Sequence, residues 1–127
     1  METDARTTVG RLREAVAAFV AARDWQPFHS AKNLSMSIAI EAAELMERFQ
    51  WLTIAEVQAA LSDPAEQEAV ADELADVLIY CLSLSNALDL DVTAAVLGKL
   101  QTNETRYPAD EFRGRFRRPE REKGAEG

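Results

Sequence analysis

Two acidic couplets constrain this chain more than any other feature of its sequence. They are Glu41-Ala-Ala-Glu44 and Glu73-Leu-Ala-Asp76, and each stands in a stretch whose apolar residues recur at helical spacing. Residues three apart on a helix share a face, so each couplet points two carboxylates the same way. Their repulsion grows with burial, and a bound cation relieves it. Two facing couplets therefore predict a nest of four carboxylates for the oxygen-preferring cations Mg²⁺ or Mn²⁺.

The apolar periodicity predicts an all-α fold, and no strand pattern occurs in the sequence. We predict an antiparallel bundle of four main helices plus a short one, over residues 8–23, 31–51, 53–61, 64–88 and 91–106. The expected N-caps are Ser30, Thr53, Asp63 and either Asp91 or Thr93. The helix over 64–88 is apolar nearly all round from Val77 to Leu84, which predicts that it is the central and most buried helix.

The length and the charge of the chain limit its class. With 127 residues we expect one domain, over residues 1–110, followed by a charged and flexible tail over residues 111–127. The 14 basic and 22 acidic side chains give a net charge of −8. An acidic chain of this kind argues against binding to nucleic acid or to an anionic membrane.

Cysteine and histidine are nearly absent. The single Cys81 and the single His29 exclude a disulfide within the chain and a zinc site built from several such ligands. No apolar run approaches the roughly 20 residues that a bilayer requires. These features predict a cytoplasmic protein.

Two aromatic side chains and a later polar stripe accompany the couplets. Trp51 lies on the helix face that carries the first couplet, and Tyr80 follows Asp76 by about one turn. A later stripe of two cations and an amide, suited to a polyphosphate, consists of Lys99, Asn103 and Arg106.

These motifs together resemble the MazG-like family of all-α nucleoside triphosphate pyrophosphohydrolases, and most of all its dCTP pyrophosphatase group. The two couplets stand in the family's order, followed by Lys99-x-x-x-Asn103-x-x-Arg106-Tyr107-Pro108. The similarity to the dCTP group is carried by Arg23-Asp24-Trp25, Phe28-His29-Ser30, Lys32-Asn33-Leu34, Phe49-Gln50-Trp51 and Asp76-Val77-Leu78-Ile79-Tyr80.

The resemblance implies Mg²⁺-dependent hydrolysis of a nucleoside triphosphate, dCTP first, to the monophosphate and pyrophosphate. It implies three groups of site residues: Glu41, Glu44, Glu73 and Asp76 as catalytic metal ligands; Lys99, Asn103 and Arg106 on the phosphates; Trp25, His29, Trp51 and Tyr80 around the base and sugar. It also implies a homo-oligomer, a dimer or a tetramer, with sites shared between chains.

Three alternatives compete with this interpretation. Within the same chemistry, dUTP or a modified nucleotide can replace dCTP as the substrate. From another class, the chain can be a non-catalytic helical oligomer that binds nucleotide or a protein partner. A ferritin-like di-iron bundle requires Glu-x-x-His pairs, which the position of His29 excludes.

Overall fold

The computed structural model describes residues 1–115, and these residues form helices and turns with no strand. The helices are α1 (Val9–Ala21), α2 (Ala31–Glu47), α3 (Ile54–Ala60), α4 (Pro64–Ala87), α5 (Val92–Arg106) and α6 (Ala109–Phe112), with a 3₁₀ turn at Gln26–Phe28. Across this described part, no single helix is both long enough and apolar enough to cross a membrane. The predicted all-α class is confirmed.

The helix starts follow the predicted caps. The side-chain oxygens of Ser30, Thr53, Asp63 and Asp91 each accept a hydrogen bond from a backbone N–H in the first turn of the following helix. These bonds satisfy N–H groups that have no partner within the helix. Of the two residues proposed to cap α5, Asp91 is the one that does so, at 2.7 Å from the N–H of Ala94.

The helices differ from the prediction most clearly at the end of α2 and after α5. Helix α2 ends at Glu47 rather than at residue 51, because the N–H of Arg48 bonds back to the carbonyl of Leu45, and the chain tightens into a turn. A sixth helix, α6, was not predicted, and it crosses the boundary expected between domain and tail. Residues 116–127 of that tail lie outside the described residues.

The chain divides into two compact units, residues 1–90 and the part from Asp91 onward. In the first unit α1 and α2 both pack against α4. Helices α2 and α4 run antiparallel, because Glu41 of α2 lies beside Glu73 whereas Arg48, further along α2, lies beside Glu66. Helix α4 is therefore central to this unit, as predicted.

Burial is less complete than the sequence suggests. Among the described apolar residues, only Val20 and Leu34 are buried. On α4, Leu74, Leu78 and Ile79 keep between 42% and 52% of their surface exposed. Helix α4 nevertheless carries two of the buried residues, Ser83 and Ser85, more than any other described helix, while its packing partners in the unit leave part of its circumference uncovered.

Candidate active site

Three of the four predicted carboxylates converge between α2 and α4. One oxygen from each of Glu41, Glu73 and Asp76 lies within 4.8 Å of the others. Glu73 and Asp76 share a face of α4 because they are three residues apart, and the antiparallel packing of α2 brings Glu41 against that face. The tertiary structure thus unites residues that are far apart in the sequence.

Burial makes this arrangement costly without a cation. The Oε2 atoms of Glu41 and Glu73 are buried and have no hydrogen-bond partner within residues 1–115. Burial raises the pKa of Glu41, and its neighbours Glu44, Asp76 and Glu73 raise it further. Burial likewise raises the pKa of Glu73, as do Glu44 and Asp76, whereas the cation of Arg48 lowers it.

The three carboxylates fit a hard divalent cation. Their ligand atoms are all oxygens, which Mg²⁺ and Mn²⁺ prefer. Oxygens that share one Mg²⁺ at about 2.1 Å lie at most about 4.2 Å apart, so small side-chain movements close the cluster around an ion. A bound cation would also give a partner to the two buried oxygens that have none within the described residues.

Glu44 lies next to this cluster and lines a cavity. A cavity of about 480 Å³ is lined by Glu44, Glu47, Arg48 and Glu73. Arg48 Nη1 lies 3.9 Å from Oε1 of Glu66 on α4. Glu47 and Arg48 follow Glu44 by three and four residues, so helical spacing places them next to Glu44 on α2.

Trp25 and His29 lie together near the other end of α4. Their ring centroids are 6.5 Å apart, and His29 lines a pocket of about 460 Å³. The other lining residues are Ala17, Val20, Ala21, Gln26, Ser83, Asn86 and Ala87. Ser83 is only 6% exposed, and its Oγ has no hydrogen-bond partner in the described chain. Sequence reasoning missed Ser83, which stands seven residues, or two turns, after Asp76.

Within one chain, Trp51 does not lie near Trp25 and His29. It is 86% exposed and stands three residues after Arg48, at the end of the unit where Arg48 meets Glu66. Ser83 is 17 residues further along α4 than Glu66, about 25 Å at the helical rise. Half-buried Tyr80 lies between these ends. The structure thus places Trp25 and His29 on one side of the carboxylates and Trp51 on the other.

The predicted phosphate-binding stripe belongs to the second unit. Lys99 and Asn103 line a shallow pocket of about 300 Å³ with Ala95, Val96 and Leu100. The guanidinium carbon of Arg106 lies 5.3 Å from the ring centroid of Tyr107, and helix α5 ends at Arg106, as predicted.

Comparison with known proteins assigns the family. The model of the MazG-like family matches residues 36–117, a segment that covers well over half of the chain and includes both acidic couplets. The chain belongs to the MazG-like family. The resemblance inferred from the couplets and their flanking motifs is therefore confirmed.

This MazG-like chain is also similar to curated and solved proteins. It is 40% identical to dCTP pyrophosphatase 1 of Rattus norvegicus over 107 residues, which are 84% of this chain and 63% of the rat protein. It is 41% identical to dCTP pyrophosphatase 1 of Homo sapiens over 80% of this chain and 60% of that protein. The chain thus spans less than two thirds of the length of these relatives.

One solved structure matches this MazG-like chain over nearly all of the solved protein's own length. The crystal structure of a pyrophosphatase from Archaeoglobus fulgidus superposes with a TM-score of 0.74 at 35% identity. The match covers 85% of this chain and 99% of the archaeal one. The helical fold described above is therefore shared with a protein that lacks the additional length of the mammalian relatives.

Proposed function

We propose that this MazG-like protein hydrolyses a nucleoside triphosphate to the monophosphate and pyrophosphate, with dCTP as the first substrate to test. The observation that carries the proposal is the convergence of Glu41, Glu73 and Asp76, since each of the two glutamates also keeps a buried oxygen without a hydrogen-bond partner in residues 1–115. The similarity to dCTP pyrophosphatases supports the choice of dCTP, while dUTP and modified nucleotides remain alternatives.

We propose Mg²⁺ as the metal, with Mn²⁺ as a substitute. Glu41, Glu73 and Asp76 would hold it directly, and Glu44 completes the predicted set of four carboxylates. When bound, such an ion neutralises phosphate oxygens and lowers the pKa of a coordinated water. The carboxylates themselves would orient an attacking water toward the α-phosphorus.

The remaining site residues are assigned by chemistry. Trp25 and His29 would contact the base and sugar, with Tyr80 between that pocket and the carboxylates, since aromatic faces stack on bases. Lys99, Asn103 and Arg106 are proposed to bind phosphate oxygens, because charged donors stabilise the charge that grows on the leaving group.

We also propose that the protein acts as a homo-oligomer, a dimer or a tetramer, in the cytoplasm. Large apolar side chains are half or more exposed on several helices of the single chain, including Ile40, Met46, Leu78, Leu97 and Leu100. Burying such side chains is favourable by about 25 cal/mol per Å². Trp51 can serve the base pocket only from a second copy, because in its own chain it stands at the far end of α4.

One experiment tests the activity. Purified protein with Mg²⁺ is given each common and several modified triphosphates, and the products are separated by ion-exchange chromatography. We expect a monophosphate and pyrophosphate in equal amounts, with dCTP turned over fastest. Orthophosphate as the first product would contradict the reaction. Turnover of no triphosphate at all would favour the alternative of a non-catalytic helical oligomer.

A further inference from the structure

Helix α4 presents a linear series of different chemical environments. Glu66, Glu73 and Tyr80 are spaced by seven residues, and so are Asp76 and Ser83. Seven residues are nearly two turns of helix, so each step stays on one face and advances about 10 Å. The candidate metal cluster therefore has a region on either side of it, one near Glu66 and the other near Ser83.

The region near Glu66 is charged and contains an available cation. Among the described residues that line its cavity, Arg48 is the only cation, beside Glu44, Glu47 and Glu73. Its closest ionic partner is Glu66 at 3.9 Å, which is longer than a hydrogen bond. Within residues 1–115 its guanidinium donates no hydrogen bond to a protein acceptor, so its planar set of N–H donors can bind a phosphate.

The region near Ser83 has the opposite character. The lining of its pocket contains no lysine, arginine, aspartate or glutamate among the described residues. Its walls are small apolar side chains, and its polar groups include the amide of Gln26, the imidazole of His29 and the hydroxyl of Ser83, which has no hydrogen-bond partner in residues 1–115. Such a pocket suits a flat, uncharged ring that carries hydrogen-bonding atoms, as a nucleobase does.

We propose that the triphosphate lies along α4 with one polarity, and that Arg48 binds the pyrophosphate that leaves. The nucleoside end points toward Ser83, the α-phosphate lies at the carboxylates, and the β and γ phosphates reach Arg48. In the reaction a water oxygen bonds to the α-phosphorus and its proton passes to a carboxylate or to solvent, while the bond from the α-phosphorus to the bridging oxygen breaks and its electron pair leaves with pyrophosphate. Arg48 would stabilise this negative charge. The proposal rests on the proposed function, which requires a triphosphate at the carboxylates.

The test measures the two halves of the substrate separately. Inorganic pyrophosphate and dCMP are titrated, each with Mg²⁺, into the intact protein by calorimetry. Arg48→Met should weaken pyrophosphate binding by about 10- to 100-fold, the range for hydrogen bonds to charged groups, and change dCMP binding less than about two-fold. Arg48→Lys should recover part of the loss because it keeps the charge without the planar fork. Ser83→Ala should have the opposite effect: it should weaken dCMP binding several-fold and leave pyrophosphate binding unchanged.

A matched control separates phosphate binding from a structural tether. Glu66→Gln removes the ion pair to Arg48 but keeps the guanidinium, so it should bind pyrophosphate within about two-fold of wild type. If Glu66→Gln reproduces the loss seen in Arg48→Met, Arg48 only links α2 to α4 and the proposal is wrong. A larger effect of Arg48→Met on dCMP would reverse the polarity and overturn it too. Failure of the proposed function is distinguishable, because it removes turnover in wild type whatever these titrations give.

Discussion

Glu41 on α2 and Glu73 on α4 converge with Asp76, and each of the two glutamates keeps one buried oxygen without a hydrogen-bond partner in residues 1–115. Burying a carboxylate without compensation costs free energy that the rest of the fold must supply. The pair therefore links three measurable properties of the molecule: its metal affinity, its turnover and its stability as a function of pH.

Glu41→Gln should abolish turnover while the helical fold remains. The amide is nearly isosteric with the carboxylate but removes one anionic ligand, so we expect a rate loss of at least about 100-fold and weaker metal binding. Pyrophosphate release and circular dichroism give the two readouts. Asp72→Asn is the matched control, because Asp72 is an exposed acid beside Glu73 that lies outside the cluster, and it should keep wild-type turnover. Retained activity in Glu41→Gln would remove Glu41 from the site.

Stability of the metal-free protein should depend on pH through the same residues. The pKa values of Glu41 and Glu73 are raised in the fold above the ordinary 4.5, so the folded state favours their protonated forms. Their contribution to stability is complete below pH 4.5 and is lost as the pH rises through the raised values. Thermal unfolding in EDTA from pH 5 to 8 should show wild type losing stability relative to Glu41→Gln. A constant difference between the two proteins would contradict the shift.

Magnesium should reverse that dependence. Metal ligands must be deprotonated, so the increase in melting temperature caused by Mg²⁺ should grow with pH. At a concentration one hundred times the dissociation constant, a ligand specific for the folded state contributes about 2.7 kcal/mol. The same titration on a variant with both Glu41→Gln and Glu73→Gln should show almost no increase. An equal increase in that variant would place the metal elsewhere.

Asn86→Ala should destabilise the first unit by about 1–3 kcal/mol. Arg13 Nε donates to Asn86 Oδ1 at 3.0 Å, and Asn86 Nδ2 donates to the carbonyl of Arg13 at 3.1 Å, so the pair links α1 to α4. Asn86→Ala removes both of these bonds from partly buried groups, although Arg13 Nη2 still donates to the carbonyl of Ser85 at 3.4 Å. Urea unfolding of Arg13→Met, Asn86→Ala and the double variant forms a cycle that isolates the coupling between the two side chains, because Arg13→Met keeps the backbone carbonyl that accepts from Asn86. Additive effects would show that the two residues act independently.

Leu78→Lys should reduce the assembly state. Leu78 is 52% exposed on α4 in the single chain, and a cation there would be costly in an apolar interface between copies. Light scattering after size exclusion should give a smaller particle for Leu78→Lys than for wild type. Glu68→Lys, an exposed charge change on the same helix, serves as the control and should leave the mass unchanged. A monomeric wild type would contradict the proposed oligomer.

Local patterns in the sequence predicted the helices well, because the determinants of a helix start lie within a few residues of it. The caps at Ser30, Thr53 and Asp63 depend on one side-chain oxygen and the next turn of backbone. The end of α2 was predicted less accurately, since apolar spacing continues to Trp51 although the backbone tightens after Glu47. The short helix α6 carries too little periodicity to be recognised.

The sequence by itself determined the helical class, the two couplets and the MazG-like family, because each of these resides in residue types and short spacings. Only the tertiary structure decided that Glu41, Glu73 and Asp76 meet and that Arg48 shares a cavity with Glu73. It also buried the hydroxyl of Ser83, which has no hydrogen-bond partner within the described part of the chain. It also separated His29 from Trp51 along α4. The physical reason is that helical spacing assigns a residue to a face of its own helix. The antiparallel packing of α2 on α4 decides which faces meet and which residues lie opposite each other along the helix axes.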